Sequence, residues 1–154
     1  YASKLQQLVL DLKGQPGGVK TLVMCHNSSG HKLLLRMVGK ALGRHVVRGY
    51  PPLKTFAQMQ DKELKHLCGE AHVDVGHCRC ALCAFNASTA APGTPRVMVA
   101  DSRDCGEGVS FMGVRRLLLV DVPLNAVEFL QRVGRAVRFM GHANLPEAQR
   151  KVDV

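Results

Sequence analysis

The eight residues at positions 131–138 read QRVGRAVR, so that a glutamine and three arginines recur at helical spacing. Residues three, four and seven apart share one face of an α-helix, which predicts that Gln131, Arg135 and Arg138 point the same way, with Arg132 beside them. The opposite side is predicted to face a core and carries four apolar residues, Phe129, Leu130, Val133 and Val137. Such a helix would present a row of planar guanidinium groups, which suits forked recognition of phosphate. The alternative is an ordinary solvated basic face, and the internal glycine and the lack of any acid in the stretch favour function.

Short, continuous apolar runs indicate strands that are buried on both faces. The candidate strands are Thr21–Cys25, Val97–Ala100 and Leu117–Val120, with Val46–Val47 as a weaker fourth. The helical patterns that alternate with them are Leu5–Leu12, His31–Leu42 and a segment from Asn125 onward. This alternation predicts an α/β domain of three layers, α/β/α, around a mainly parallel sheet. Ligands of such sheets bind at the carboxyl ends of the strands, so a site is expected in the loops after Cys25, Ala100 and Val120.

Capping signals mark the starts of two of these helices. Asn125 as N-cap and Glu128 as third helical residue resemble a capping box before the arginine row, and Gly141 is a candidate end for that helix. Ser28 or Ser29 is the expected cap of the helix 31–42. That helix also carries a stripe of basic residues, Lys32, Arg36 and Lys40.

Composition limits the classes of function. The 154 residues fit one domain, and 21 basic against 12 acidic residues give a net charge of +9, which favours a polyanionic partner. Tryptophan is absent and aromatic residues are few, which disfavours a base-stacking platform. Neither a membrane span nor a signal peptide is evident, so we expect an intracellular, reducing compartment, either nucleus or cytoplasm, without disulfides. The start at Tyr1 and the strand-like segment Lys151–Val154 suggest a part of a larger protein.

A glycine-containing loop follows the predicted strand 97–100. Residues 101–111 read DSRDCGEGVSF, with Gly106 and Gly108 two positions apart. Glycine allows a backbone to come close to a ligand or to adopt a positive φ. The loop lacks the third glycine of a dinucleotide fingerprint, which argues against a cofactor of that kind.

From about Lys20 to its end, the chain resembles the second RecA-like lobe of superfamily 2 helicases and translocases. The segment Thr21–Asn27 resembles motif IV of these proteins, Asp101–Phe111 resembles motif V, and Gln131–Arg138 matches the motif VI pattern Gln-Arg-x-Gly-Arg-x-x-Arg. The order and spacing of the three motifs agree as well. The resemblance implies a RecA-like fold.

The form of motif V resembles that of Swi/Snf-type ATPases and of the nucleoside triphosphatase I and early-transcription-factor helicases of large DNA viruses. Glu107 and Ser110 stand where a DEAD-box protein would have arginine and aspartate. The segment Asp121–Asn125 is similar to the link of the viral proteins, although Leu124 replaces an aromatic residue there.

The resemblance implies half of an ATP site. ATP would lie between two lobes, and the amino-terminal lobe would hold the phosphates and Mg²⁺, because the chain has no Gly-x-x-x-x-Gly-Lys-Ser/Thr sequence. This chain alone is then expected not to hydrolyse ATP. Arg135 and Arg138 would be arginine fingers, with Arg138 foremost at the γ-phosphate. The residues implied to orient or sense the nucleotide are Gln131, Arg132, Gly106, Gly108 and Ser110.

The implied partners are the amino-terminal lobe of the same protein and a DNA or RNA backbone, with no membrane. The residues implied to contact the nucleic acid are Asn27, Ser28, Ser29, Gly30, Asp101 and Ser102. A non-catalytic RecA-like lobe that binds nucleic acid or protein is the alternative, and the intact motif VI favours the motor.

Two further regions leave alternatives open. A zinc site could form from Cys68, Cys78, Cys80 and Cys83. Against zinc, the Cys78-x-Cys80 spacing is unusual, and residues 81–86 resemble a family helix on which cysteine is a small buried residue. Residues 49–76 are predicted to be an insertion or a long loop.

Overall fold

A parallel sheet runs through the middle of the computed structural model, which describes residues 2–43, 45–50, 81–103, 105, 109–137 and 141–154. Its strands are β1 (Thr21–Cys25), β2 (Val47–Tyr50), β3 (Val97–Asp101) and β4 (Arg116–Leu119), in the order β2-β3-β1-β4. All three pairings are parallel. A further parallel bridge joins Arg116 to Asp153, at the strand-like segment noted in the sequence.

Helices cover both faces of this sheet. They are α1 (Ala2–Gly14), α2 (His31–Leu42), α3 (Ala81–Ala87) and α4 (Ala126–Ala136), and short 3₁₀ turns form at Asn27–Ser29 and Glu147–Gln149. Side chains of β1 alternate between two cores, because successive residues of a strand point to opposite faces. Val23 packs with residues of α1 and α2, whereas Met24 packs with residues of α3 and α4. The predicted three-layer α/β/α fold is confirmed.

Strand β2 extends further than the sequence indicated. Gly49 and Tyr50 belong to this strand and pair with Val99 and Ala100 of β3, so the predicted insertion 49–76 starts too early. Arg48 and Gly49 interrupt the apolar run that marks a buried strand, which is why its second half was missed. Residues 51–76 lie outside the described residues.

Phe111 stands at the centre of the core between the sheet and the helices α3 and α4. Its ring makes edge-to-face contacts with Tyr50 and Phe85, with centroid distances of 6.1 and 6.4 Å. Its backbone amide donates to the carbonyl of Arg135, at 3.1 Å. The end of the glycine loop is thereby tied to the last turn of α4.

Lys20, just before β1, is a buried cation. Its Nζ donates to the carbonyls of Asn86 and Ser88 at 3.3 and 3.2 Å, at the carboxyl end of α3, and lies 4.5 Å from the ring centre of Phe85. Burial lowers the pKa of this amine from 10.5 to about 8.

We expect Phe111→Ala to lower the free energy of unfolding by about 3–5 kcal/mol, because a fully buried aromatic ring leaves a cavity. Phe129→Ala is the matched control, since that ring is 40% exposed; its cost should stay below about 1 kcal/mol. Urea unfolding measures both. Equal losses in the two variants would contradict the central place of Phe111.

The Lys20 amine should make stability rise with pH. Because its folded pKa, about 8, lies below the ordinary value of 10.5, the unfolded chain binds more protons between these limits. We therefore expect the wild type to gain stability relative to Lys20→Met between pH 8 and 10.5. A stability difference between the two proteins that stays constant over this pH range would contradict the prediction. Urea unfolding at several pH values measures the difference.

Candidate nucleotide and nucleic-acid site

Three loops meet at the carboxyl edge of the sheet. Cys25 is in register with Asp101, and Met24 with Leu119, so β1, β3 and β4 end side by side. The loops that follow them carry the residues that the sequence assigned to a ligand. The loops in which the sequence predicts a site therefore start at one edge of the sheet.

Asp121, directly after β4, connects two of these loops with α4. Its Oδ1 accepts from the backbone amide of His26 at 2.9 Å. Its Oδ2 accepts from Arg132 at 3.0 Å, and its carbonyl accepts from the same guanidinium at 3.2 Å. One carboxylate thus fixes the loop after β1 against the helix that carries the arginine row.

Arg132 is buried and shares its guanidinium between two acids. Besides Asp121, it donates to Oε1 of Glu128 at 2.6 Å. The other Glu128 oxygen accepts from the amide of Leu124 at 2.7 Å, and these hydrogen bonds, first that of Leu124 and then that of Arg132, lower the pKa of the Glu128 carboxyl. Arg132 therefore anchors α4 through these acids and faces away from the open side of the helix.

At the start of α4, the predicted N-cap Asn125 is confirmed, whereas Glu128 binds the amide of Leu124, one residue before the N-cap. Oδ1 of Asn125 accepts from the amide of Glu128 at 2.9 Å, with Asn125 in extended conformation as N-cap. The end of the helix differs, because α4 stops at Ala136 with Val137 as C-cap, well before Gly141.

The predicted apolar side of α4 is wrong in part. Phe129, Leu130 and Val137 are exposed, and of the four residues Val133 packs against the core. The buried residues of the helix are Arg132 and Ala136. A periodicity argument counts arginine as polar, whereas an arginine that is paired with two carboxylates can be buried. The helix is rotated accordingly, and much of its apolar surface remains open.

The open side of α4 carries Gln131 and Arg135. Gln131 is exposed and Arg135 half-buried, and neither side chain has a hydrogen-bond or ion-pair partner in the part of the chain that the structure describes. The backbone of Arg135 is held by Phe111. Arg138, the other predicted finger, lies outside the described residues.

The loop after β1 is braced from within. The amide of Ser28 donates to Nδ1 of His26 at 3.1 Å, and the Ser28 hydroxyl lies 2.5 Å from the same nitrogen. The Cys25 thiol donates to the carbonyl of Ser29 at 3.4 Å. Burial, together with the charges of Asp121 and Asp101, raises the pKa of this thiol to about 12, so it remains a donor at neutral pH.

The predicted serine cap of α2 is wrong. The N-cap is Gly30, with φ of +88° and no side-chain cap bond. The hydroxyl of Ser28 is drawn to His26 instead, and glycine takes the left-handed conformation at little steric cost.

The structure describes Asp101, Ser102 and Ser110 of the loop after β3. The carboxylate of Asp101 is buried and accepts from the amide of Arg103 at 3.0 Å, so it serves the turn itself. The hydroxyl oxygen of Ser102 is buried without a hydrogen-bond partner. Ser110 is half-buried, and its carbonyl accepts from the side chain of Asn86 at 3.0 Å. Gly106 and Gly108 lie outside the described residues.

Of the four cysteines of the predicted zinc site, the structure describes Cys83. Cys83 is buried on α3 in the core with Phe85 and Phe111, as expected of a small apolar residue. Cys68, Cys78 and Cys80 lie outside the described residues. In the described segments, no three His, Cys, Asp or Glu side chains are grouped so that they could hold a metal ion. None of the described helices is long and apolar enough to cross a membrane.

Comparison with known proteins gives both sequence and structural likenesses. No protein-family model matches the chain. Over 48 residues, 31% of this chain, it is 38% identical to nucleoside triphosphatase I of Amsacta moorei entomopoxvirus. Over 74 residues, 48% of this chain, it is 32% identical to the early transcription factor large subunit homologue of African swine fever virus. The chain spans only 7% and 6% of these two proteins.

The fold is similar to that of a solved helicase. The structure of the Escherichia coli DEAD-box protein SrmB, bound to regulator of ribonuclease activity A, matches 97% of this chain and 66% of that one, with a TM-score of 0.57 and 17% identity. The chain therefore has a RecA-like α/β fold. In sequence it resembles viral proteins of the nucleoside triphosphatase I and early-transcription-factor kind, as its motifs predicted.

Removal of the Asp121 carboxylate should destabilise the domain. We expect Asp121→Ala to cost about 3 kcal/mol, since it leaves the guanidinium of Arg132, 9% exposed, without one of its two acids. Asp11→Ala breaks the exposed Asp11–Arg116 ion pair and should cost no more than about 1 kcal/mol. Thermal and urea unfolding compare the variants. A loss for Asp121→Ala no larger than for Asp11→Ala would show that the buried pair does not hold the edge together.

Proposed function

We propose that the chain is the carboxyl-terminal motor lobe of an ATP-dependent nucleic-acid helicase or translocase. In this role Arg135 and Arg138 act as arginine fingers on ATP that is held by an amino-terminal lobe of the same protein. The loops after β1 and β3 contact the nucleic-acid backbone. The sequence likeness to viral nucleoside triphosphatase and transcription-factor proteins supports this proposal, as does the helicase-type fold.

The observation that carries the proposal is that two arginines of α4, Arg132 and Arg135, differ in burial and in pairing. Arg132 has two acids and is buried, whereas Arg135, three residues on, has no side-chain partner among the described residues. Arg135 lies about one turn beyond Arg132, which binds Asp121 at the carboxyl edge. A guanidinium that the described residues leave unneutralised is suited to a terminal phosphate. The amide of Phe111 holds the backbone carbonyl of Arg135, so the point from which the guanidinium extends is fixed.

An exposed apolar surface beside this arginine supports a second lobe. Val122 and Leu124 are 84% and 92% exposed, and Val127 and Leu130 are each about two-thirds exposed. Val127 and Leu130 are three residues apart on α4 and therefore share a side of the helix. Exposed apolar patches mark interaction sites in soluble proteins. A lobe that closes over ATP would cover this surface.

The reaction would be transfer of the γ-phosphoryl group of ATP to water. The chain contains no phosphate-loop sequence, so the phosphates and Mg²⁺ are assigned to the amino-terminal lobe. When bound there, Mg²⁺ would neutralise phosphate charge. Arg135 and Arg138 would stabilise the negative charge that develops on the γ-phosphoryl oxygens, an effect of about 10³–10⁵ in rate.

Contacts to nucleic acid would go to its sugar–phosphate backbone. The exposed Ser28 and the hydroxyl of Ser102 are the candidate donors, since the amides of Ser28 and Ser29 already donate to His26. The Ser102 hydroxyl is buried without a partner among the described residues and would have to turn outward. The Asp101 carboxylate already accepts a hydrogen bond within its own turn, so its part is to shape the loop. Backbone contacts carry no sequence information, so we expect no sequence preference.

The test uses the full-length protein and its nucleic-acid-stimulated ATPase. Arg135→Ala should lower kcat about 10³-fold, Arg138→Ala likewise, and nucleic-acid affinity should be nearly unchanged. Arg135→Lys should restore only part of the rate, because an ammonium lacks the fork of the guanidinium. Arg116→Ala is the control, since Arg116 lies at the amino end of β4, and its rate should equal that of the wild type.

Two results would contradict the proposal. Undiminished turnover in Arg135→Ala and Arg138→Ala would remove the finger role. A full-length wild type that binds nucleic acid but has no stimulated ATPase would instead identify a non-catalytic binding module.

A further inference from the structure

Helix α2 presents three exposed cations on one face, Lys32, Arg36 and Lys40, which we call the α2 basic face. They recur every fourth residue, so neighbours are about 6 Å apart along the helix axis. The sequence of α2, HKLLLRMVGKAL, contains no acid. The face is therefore a row of like charges along the length of the helix.

The described surroundings of these three charges do not neutralise them. None of the three side chains has a hydrogen-bond or ion-pair partner within the described ranges. Helix α1, which packs beside α2, contains one acid, Asp11, and that acid pairs with Arg116 at 2.8 Å. By contrast, Lys4 of α1 donates to the carbonyl of Val120 at 2.6 Å. The row on α2 thus differs from cations that serve the fold.

Helix stability does not account for the row. Lys40 in the last turn complements the helix dipole, but Lys32 lies in the first turn, where the dipole favours acids. The first turn of α2 contains no acid. A cation at this position opposes the dipole, which indicates that a partner outside the helix uses it.

The row starts at the candidate nucleic-acid edge and leads away from it. Helix α2 begins right after the turn Asn27–Ser29 and Gly30, at the carboxyl end of β1. As the connection to a parallel strand, it runs back along the sheet towards the amino edge. Lys32 is therefore nearest to the site and Lys40 farthest from it.

The chemistry of the helix favours a nucleic-acid backbone over a membrane. Most of the apolar side of α2, including Leu34 and Val38, is buried in the core. Leu33, 53% exposed, is too little apolar surface on its own for the helix to insert among lipids. A polyanion with regularly spaced charges suits a row of this length, and a protein with a net charge of +9 attracts one at long range.

We propose that the α2 basic face is a second phosphate-binding surface, along which a DNA or RNA strand continues after it leaves the loop at residues 26–30. The proposal rests on the proposed nucleic-acid binding and extends it. Short strands would occupy only the edge of the sheet. Longer strands would also reach Lys32, Arg36 and Lys40.

The experiment measures affinity as a function of salt with full-length protein. The probes are oligo(dT) and oligo(U) of about 8 and about 30 nucleotides, with poly-glutamate as a polyanion that is not a nucleic acid. One variant replaces Lys32, Arg36 and Lys40 with glutamine. The matched control replaces Arg116, Arg150 and Lys151 with glutamine, which removes the same number of positive charges outside the α2 basic face.

For the long strands, the α2 variant should lose about tenfold in affinity, and the slope of log Kd against log salt should fall by about 2, since each single-strand phosphate contact contributes about 0.7. Affinity for the short strands should match that of the control. An effect with only one of the two probes would assign the surface to DNA or to RNA.

Three outcomes overturn the proposal. Equal salt slopes for the α2 variant and the control with long strands would show that the face makes no phosphate contact. Loss of poly-glutamate binding with an unchanged nucleic-acid slope would indicate an acidic protein partner. A wild type that binds none of the oligonucleotides would reject the nucleic-acid role in the proposed function as well, which separates the two failures.

Discussion

The ion pair between Asp121 and Arg132 determines the geometry of the carboxyl edge. The carboxylate also accepts from the amide of His26, so three separate segments meet at one group. Glu128 holds the second nitrogen of the guanidinium and leaves it little freedom. Because α4 is fixed at its start by this network and at its end by Phe111, the direction in which it presents Arg135 follows from both.

Much of the fold could be predicted from apolar runs. Strands that are buried on both faces leave an uninterrupted apolar signature, and β1 appears with the predicted bounds. The second half of β2 could not be predicted, since Arg48 and Gly49 resemble a loop while their backbone continues the sheet. The N-cap Asn125 could be predicted, because the hydrogen bond between its side chain and the amide of Glu128 joins residues only three apart in sequence.

The site was harder to predict because its main contacts join residues distant in sequence. The spacing of Glu128 and Arg132, four residues apart, could have signalled a paired and therefore buried arginine. The link from Arg132 to Asp121 spans separate elements and has no periodic signature. The exposed Leu130 follows from the same cause, since the buried arginine rotates α4. The prediction of a serine N-cap for α2 was wrong for a local reason, because the hydroxyl of Ser28 pairs with the ring of His26.

The half-buried Arg135 has a fixed backbone and a side chain that is not restrained by the described part of the chain. Its rotamers would exchange within picoseconds to nanoseconds, whereas closure of lobes takes microseconds or longer. Contact with a phosphate would end that freedom at an entropic cost of up to about 2 kcal/mol. Helix α4 therefore fixes the backbone of Arg135 in advance, and the side chain takes a single conformation only when a phosphate binds.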